Sequence, residues 1–247
     1  MSEFEKKLLK EIEDLKSKIK KIEGEKEENP IPSYQYSRIT DLELRKVVKI
    51  KRIFEDTIFD LWLNNKINLE KEETMFLKKL LEREKNYIKI YSEEDLKIKF
   101  ITPILNKIHF RADELRDFYE EKLLYQAENF IFKGKTDFLV SKGYKSPEKP
   151  YFFIQEFKKS IENSDPEPQL LAELISAVEL SNWTTIKGAY IVGENWSFVI
   201  LKRLERHKYQ YFVSKTFNST NIEDLKGIYK NLLFVKQEIT EMIENGI

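Results

Sequence analysis

The chain has 247 residues, with 43 basic and 43 acidic side chains and a formal charge of zero. It has no cysteine and two histidines, His109 and His207. That excludes disulfide frameworks, thiolate zinc sites and thiol nucleophiles, and leaves little for a histidine metal site or a serine triad.

The hydrophobic set makes up 41%, including 17 Phe and 12 Tyr, enough for a sizeable core. No apolar run approaches the roughly 18 to 20 residues of a membrane span. The charged stretch Met1–Lys7 carries no signal-peptide core, so a soluble cytoplasmic protein is expected.

Residues 4–26 read as a helix, with Phe4, Leu8, Ile12, Leu15, Ile19 and Ile22 at steps of four and three among Lys and Glu. This heptad spacing predicts a coiled coil over residues 1–29, and through it a homodimer. An amphipathic helix packed on its own domain is the competing reading. Pro30 and Pro32 break the pattern, and a linker is placed at Glu28–Ser33.

Residues 30–88 are expected to form a helical arm. One helix is predicted over 39–65, on the apolar face Leu42, Leu44, Val47, Val48, Ile53, Phe54, Ile58, Phe59, Leu61 and Trp62. A second begins with Asn68 as its cap and no capping box, Lys71 standing where an acid would reach back.

A third unit spans 89–247. Ser92 caps a helix rich in first-turn acids, with Phe100, Ile101, Ile104, Leu105 and Ile108 inside and a kink or break at Pro103. Strand-like runs follow at 128–132, 134–140 and 151–158, the last two separated by a loop over 141–150. A helix is predicted over 169–180, then strands at 187–192, 197–201 and 209–213, and a closing helix at 221–244. The order defines an α/β class, a mixed sheet flanked by helices.

Three residues carry the chemistry. Asp137 lies in one predicted strand; Glu156 and Lys158 lie in the next, two apart, and so on one face. A Glu and a Lys beside Tyr151-Phe152-Phe153-Ile154 are costly to bury unless paired or coordinating. If the two strands are neighbours, the carboxylates converge on an all-oxygen site suited to Mg2+ or Mn2+. A lysine beside them suits phosphodiester hydrolysis.

Asp137, eighteen intervening residues, then Glu156-Phe157-Lys158 resembles the PD-(D/E)xK nuclease motif. The segment Ser92–Ile108 is similar to the opening helix of the nuclease domain in type I restriction-enzyme R subunits. The resemblance covers about residues 88–215. It implies a restriction-endonuclease-like sheet, Asp137 and Glu156 as metal ligands, and Lys158 as the catalytic lysine. It also implies an auxiliary helix acid, Glu93 in preference to Glu94, and an auxiliary glutamine, Gln169, eleven residues past Lys158. Two positions depart from the family pattern: Thr136 replaces the proline before the aspartate, and Glu173 stands where a tyrosine often follows the glutamine. The implied activity is a Mg2+- or Mn2+-dependent nuclease on DNA, with RNA open as substrate. A catalytically silent nuclease fold, assembled by its coiled coil for interaction or DNA binding, is the alternative.

Taken alone, Glu-x-Lys is a surface ion pair in a chain this rich in both residues. His109 is expected to cap a helix, half-buried, and His207 to lie on the surface. Residues 131–160 hold seven lysines against three acids, and Lys133, Lys135 and the 142–149 loop are candidates for phosphate contact. Residues 161–180 hold five acids and no base, a stretch that repels DNA unless it faces inward.

Overall fold

The structure, a computed structural model, describes residues 3–24, 30–112, 114–160 and 165–246. The first apolar repeat does form a helix, α1 (Glu3–Gly24). Its Leu8, Ile12 and Leu15 are exposed and join neither buried cluster, so the expected coiled coil gains no support. The side chains of Phe4, Ile19 and Ile22, and residues Glu28, Asn29 and Glu162, lie outside what is described.

The helix expected over 39–65 is replaced by shorter pieces. Strand β1 (Ser33–Gln35) leads through a 3-10 turn (Tyr36–Arg38) to α2 (Asp41–Val47), which has a Thr40–Glu43 capping box. Strand β2 (Lys49–Arg52) follows, then a 3-10 turn (Asp56–Phe59) and α3 (Asp60–Leu63). Val48 and Ile50 alternate with Lys49 and Lys51, a period of two that wins over the longer helical pattern because β8 offers β2 a ladder. Helix α4 (Lys71–Glu84) is capped at Glu70 rather than Asn68, and the Glu73 carboxylate accepts from the Glu70 N–H at 2.8 Å.

The helix after Ser92 is continuous but irregular: α5 (Glu93–Leu96), a π turn (Lys97–Ile101) and α6 (Thr102–Ile108). Pro103 lacks an N–H, and in a regular helix its ring crowds the carbonyl four residues back; the wider π turn relieves both. His109 closes α6 in the left-handed region, at φ 59°, and is exposed rather than half-buried.

Three long strands come next: β3 (Leu115–Gln126), β4 (Ile131–Lys142) and β5 (Glu148–Lys158). The runs expected at 128–132 and 134–140 are the turn before β4 and β4 itself. Helix α7 (Pro166–Leu180), β6 (Thr185–Val192), β7 (Asn195–Glu205), β8 (Lys208–Val213), β9 (Phe217–Asn218) and α8 (Ile222–Glu244) complete the chain.

The strands form one mixed sheet, ordered β1-β4-β5-β6-β7-β8-β2, with β3 also on β4 and β9 on β7. The pairs β1–β4, β5–β6 and β2–β8 are parallel; β3–β4, β4–β5, β6–β7 and β7–β8 are antiparallel. One face buries Phe138, Phe153, Phe157 and Phe198 under α4, α6 and α8, with Trp62 and Leu77 in the same cluster. The other face packs Leu139, Ile154 and Val199 against Leu170, Leu174 and Ile175 of α7, with Tyr36 and Leu44 beside them. Each buried Leu, Ile or Phe contributes about 1.5–3 kcal/mol relative to an exposed one. The indole of Trp62 donates to the Asn231 carbonyl at 2.9 Å, tying the early segment to α8. No helix among the described residues is long and apolar enough to cross a membrane.

Candidate active site

The sheet has an opening in it. On one edge of β4, β1 pairs with residues 131–133 and β5 with residues 138–142, leaving 134–137 without a strand partner. On the other edge the β3 ladder runs from Tyr119–Phe138 to Glu121–Thr136 and passes over Glu120 and Asp137. Glu120 there has φ 54°, a left-handed backbone that a non-glycine residue adopts only at a cost. A cavity of about 620 Å3 opens at this gap, lined by Glu93, Lys97, Asp137, Glu156, Lys158 and Gln169 among others. All the residues singled out by the motif thus line one space, and Glu93 does so where its neighbour Glu94 does not.

Asp137 is fixed from two sides. Its Oδ2 accepts the Phe157 N–H at 2.8 Å, so the side chain takes over where the β4–β5 ladder stops. Its Oδ1 accepts from Lys97 Nζ at 2.6 Å. Lys97 comes from the π turn and also reaches Glu120 at 3.3 Å and Glu93 at 3.8 Å. Burial weakens its charge, but the Asp137 carboxylate outweighs that and raises the Lys97 pKa above the ordinary lysine value. Lys97 was not among the expected site residues.

Glu156 is fully buried beside the cavity, and its Oε1 accepts from Lys158 Nζ at 2.6 Å. Its Oε2 has no hydrogen-bond partner. Burial pushes the Glu156 carboxyl well above the ordinary carboxylate range, and the charges of Glu173 and Asp137 add to it against the pull of Lys158. Lys158 is itself raised: burial opposes its charge, but Glu156, Asp137 and Glu93 prevail.

Gln169 sits in the first turns of α7 and donates from Nε2 to Glu173 Oε1 at 3.1 Å. Glu173, one helical turn further on, is fully buried and strongly raised by burial, with Asp137 adding to the shift. Glu173 Oε2 and Gln169 Oε1 are both buried without partners. The signal for Glu173 was in the sequence, since Gln169 and Glu173 lie four apart on a helix and so share a face.

Of the other described acids of 165–180, Glu167 and Glu179 are tied to side chains of the sheet, and the exposed Asp165 caps α7 by accepting the Glu167 N–H. Glu167 accepts from Tyr211 at 2.8 Å, and Glu179 from Tyr209 at 2.7 Å and Arg203 at 3.3 Å. His207, in the β7–β8 turn, is held 2.9 Å from the Tyr125 hydroxyl, and neither histidine lines the cavity.

Among the described residues, no group of three or more His, Asp or Glu side chains is gathered to hold a metal. Mg2+ does not require one: it keeps several waters and binds through one or two carboxylates plus substrate phosphate. Asp137 and Glu156 supply two hard carboxylates on the cavity, and Glu156 Oε2 is buried with no hydrogen-bond partner. The residues therefore fit. Comparison with protein-family models and with curated proteins finds no match to this chain.

Proposed function

We propose that the chain is a metal-dependent nuclease hydrolysing phosphodiester bonds of DNA, related to the PD-(D/E)xK enzymes. The observation that carries the reading is the convergence of Asp137, Glu156 and Lys158 on one open cavity, from neighbouring strands, with Glu93 and Gln169 at its wall. RNA shares the chemistry and remains within the proposal as an alternative substrate.

Asp137 and Glu156 would hold the metal, Glu93 assisting. When bound, Mg2+ or Mn2+ supplies a lowered water pKa and neutralises charge on the scissile phosphate. The upward shift of Glu156 makes metal compete with a proton there, so ligation is favoured as pH rises. Lys158 is a cation at neutral pH, so it orients the attacking water and stabilises negative charge on the phosphate rather than acting as a resting base. Gln169 Nε2 fixes Glu173, and its free Oε1 can accept from a proton on that acid.

The test is calorimetric titration of Mg2+ and Mn2+ into wild type and Asp137→Ala, with labelled single- and double-stranded DNA in the same samples. Metal binding and cleavage by wild type, both lost in Asp137→Ala while a cooperative melting transition is retained, are expected. Cleavage persisting in Asp137→Ala or Glu156→Ala rejects the assignment.

A second reading has its own observation: Lys97 and Lys158 already sit 2.6 Å from the two carboxylates and neutralise them without a metal. On that reading the domain is a silent scaffold, and α1, with Leu8, Ile12 and Leu15 exposed, mediates assembly. Absence of metal binding by wild type even with DNA present selects it.

A further inference from the structure

The β3–β4 hairpin presents an unusual row of charge to the cavity. Side chains alternate along a strand, so Lys133 and Lys135 project from one face of β4; the alternation switches before Phe138, since Phe132 and Phe138 lie in opposite core clusters, and Asp137 sits at that switch. Across the ladder Lys122 lies directly opposite Lys135, and Leu124 opposite Lys133, on the same face. Lys122, Leu124, Lys133 and Lys135 all line the cavity that holds Asp137 and Glu156.

This row is poorly compensated within the chain. Lys135 reaches Glu120 only at 4.0 Å, and that acid is shared with Lys97. Among the described residues, Lys122 and Lys133 make no ion pair. Like charges directly opposed on a ladder repel and are destabilising. A protein that needed only a solvated hairpin gains nothing from facing Lys122 with Lys135. An anionic ligand reverses the sign of that interaction.

The row also has a direction. Positions two apart along β4 are ~7 Å apart, and the row runs from Asp137 through Lys135 to Lys133, beside Gln35 of β1. A single anionic group would need one cluster; an evenly spaced line that ends at the two carboxylates suits a linear polyanion. We infer that Lys122, Lys133 and Lys135 form a track that binds the backbone phosphates of a nucleic-acid strand on one side of the bond to be cut. The inference rests on the nuclease reading for the position of that bond. Its binding limb needs neither metal nor cleavage.

Leu124, exposed between the lysines, gives the track an apolar contact for sugar or base. Phosphate contacts of this kind position a strand without reading its sequence.

The test uses the full chain in EDTA, with fluorescein-labelled single- and double-stranded oligonucleotides of mixed sequence, by anisotropy across a salt series. Lys122→Glu/Lys133→Glu/Lys135→Glu is compared with Lys71→Glu/Lys78→Glu/Lys79→Glu, which makes the same charge change on exposed lysines of α4. The track variant is expected to bind at least tenfold more weakly than the α4 variant. Its slope of log affinity against log salt should fall by about two, each lost phosphate contact contributing ~0.7–0.9. The corresponding triple Gln variant should move in the same direction by a smaller factor, which covers a folding defect in the Glu variant. Equal losses in the track and α4 variants, or no binding of either oligonucleotide by wild type, overturn the track. Cleavage in Mg2+ is scored separately. Track-dependent binding without cleavage leaves the track standing and removes the nuclease. Cleavage with track-independent binding does the reverse.

Discussion

At the residue scale, the site is a balance of two lysines, Lys97 and Lys158, against five carboxylates, Glu93, Glu120, Asp137, Glu156 and Glu173, and that balance sets its response to pH. Glu156 and Glu173 are both raised above 4.5 by burial. The folded chain therefore keeps their protons longer than the unfolded chain does. Their contribution to stability is complete below about pH 4.5 and is lost as pH rises through the raised values. Glu173→Gln stays neutral throughout, and its new amide can donate to the orphaned Gln169 Oε1. Melting curves should show Glu173→Gln a few degrees more stable than wild type at pH 8 and flatter between pH 5 and 8. Parallel pH profiles would show that Glu173 does not hold a proton.

Lys97 is the other residue to test. Lys97→Met leaves Asp137 Oδ1 without its partner in a half-buried position, only Oδ2 keeping the Phe157 N–H. A loss of about 1–3 kcal/mol is expected without metal, read as a lower midpoint in urea. Saturating Mn2+ should restore part of it, because the cation takes the vacated position. An unchanged midpoint removes Lys97 from any role at Asp137.

The motif residues were legible because their spacing survives in any register of the two strands. Lys97 was hidden among 43 basic side chains. Pro103 marked an irregularity in the helix, but no local pattern said that the resulting π turn would bring Lys97 to Asp137.

At the scale of elements, β4 is the organising strand, and Gly134 is the residue that lets the early segment dock on it. At φ 154°, an added Cβ would come within 2.8 Å of the Tyr36 ring. Tyr36 is buried, and its hydroxyl donates to Ser176 of α7 at 2.7 Å, so the ring has no room to retreat. Gly134→Ala should cost about 1–3 kcal/mol in urea unfolding, and a neutral result would mean that β1 is free to shift.

The sequence showed β5 to β8, α7 and α8 within a few residues. These elements have either a clean apolar run or caps and breakers at both ends. It missed β3, where Leu115–Gln126 carries five charged residues and one left-handed residue, Glu120. That strand is held by pairing with β4, a partner that local propensity cannot reveal. Strand β2 was absorbed into a helix for the same reason.

At the scale of the whole molecule, residues 33–84 are built into the sheet and its core, through β1, β2, Trp62, Leu77 and Leu80. Helix α1 contributes no described side chain to either cluster. A chain beginning at residue 30 should therefore melt within about 2 °C of the full chain. A chain beginning at residue 89 should show no cooperative transition. A large loss of stability in the first would assign α1 a packing role. A sharp transition in the second would mean that the later strands suffice alone.

The outermost strand has a consequence for synthesis. Lys49–Arg52 leaves the ribosome early, but its parallel partner, beginning at Lys208, is translated about 160 residues later. At ~5–20 residues per second, that is a wait on the order of ten seconds. During it the segment exposes a bare hydrogen-bonding edge beside Val48 and Ile50. Three of its four residues are basic, Lys49, Lys51 and Arg52. Their mutual repulsion keeps one nascent chain from zipping onto another until the native partner arrives.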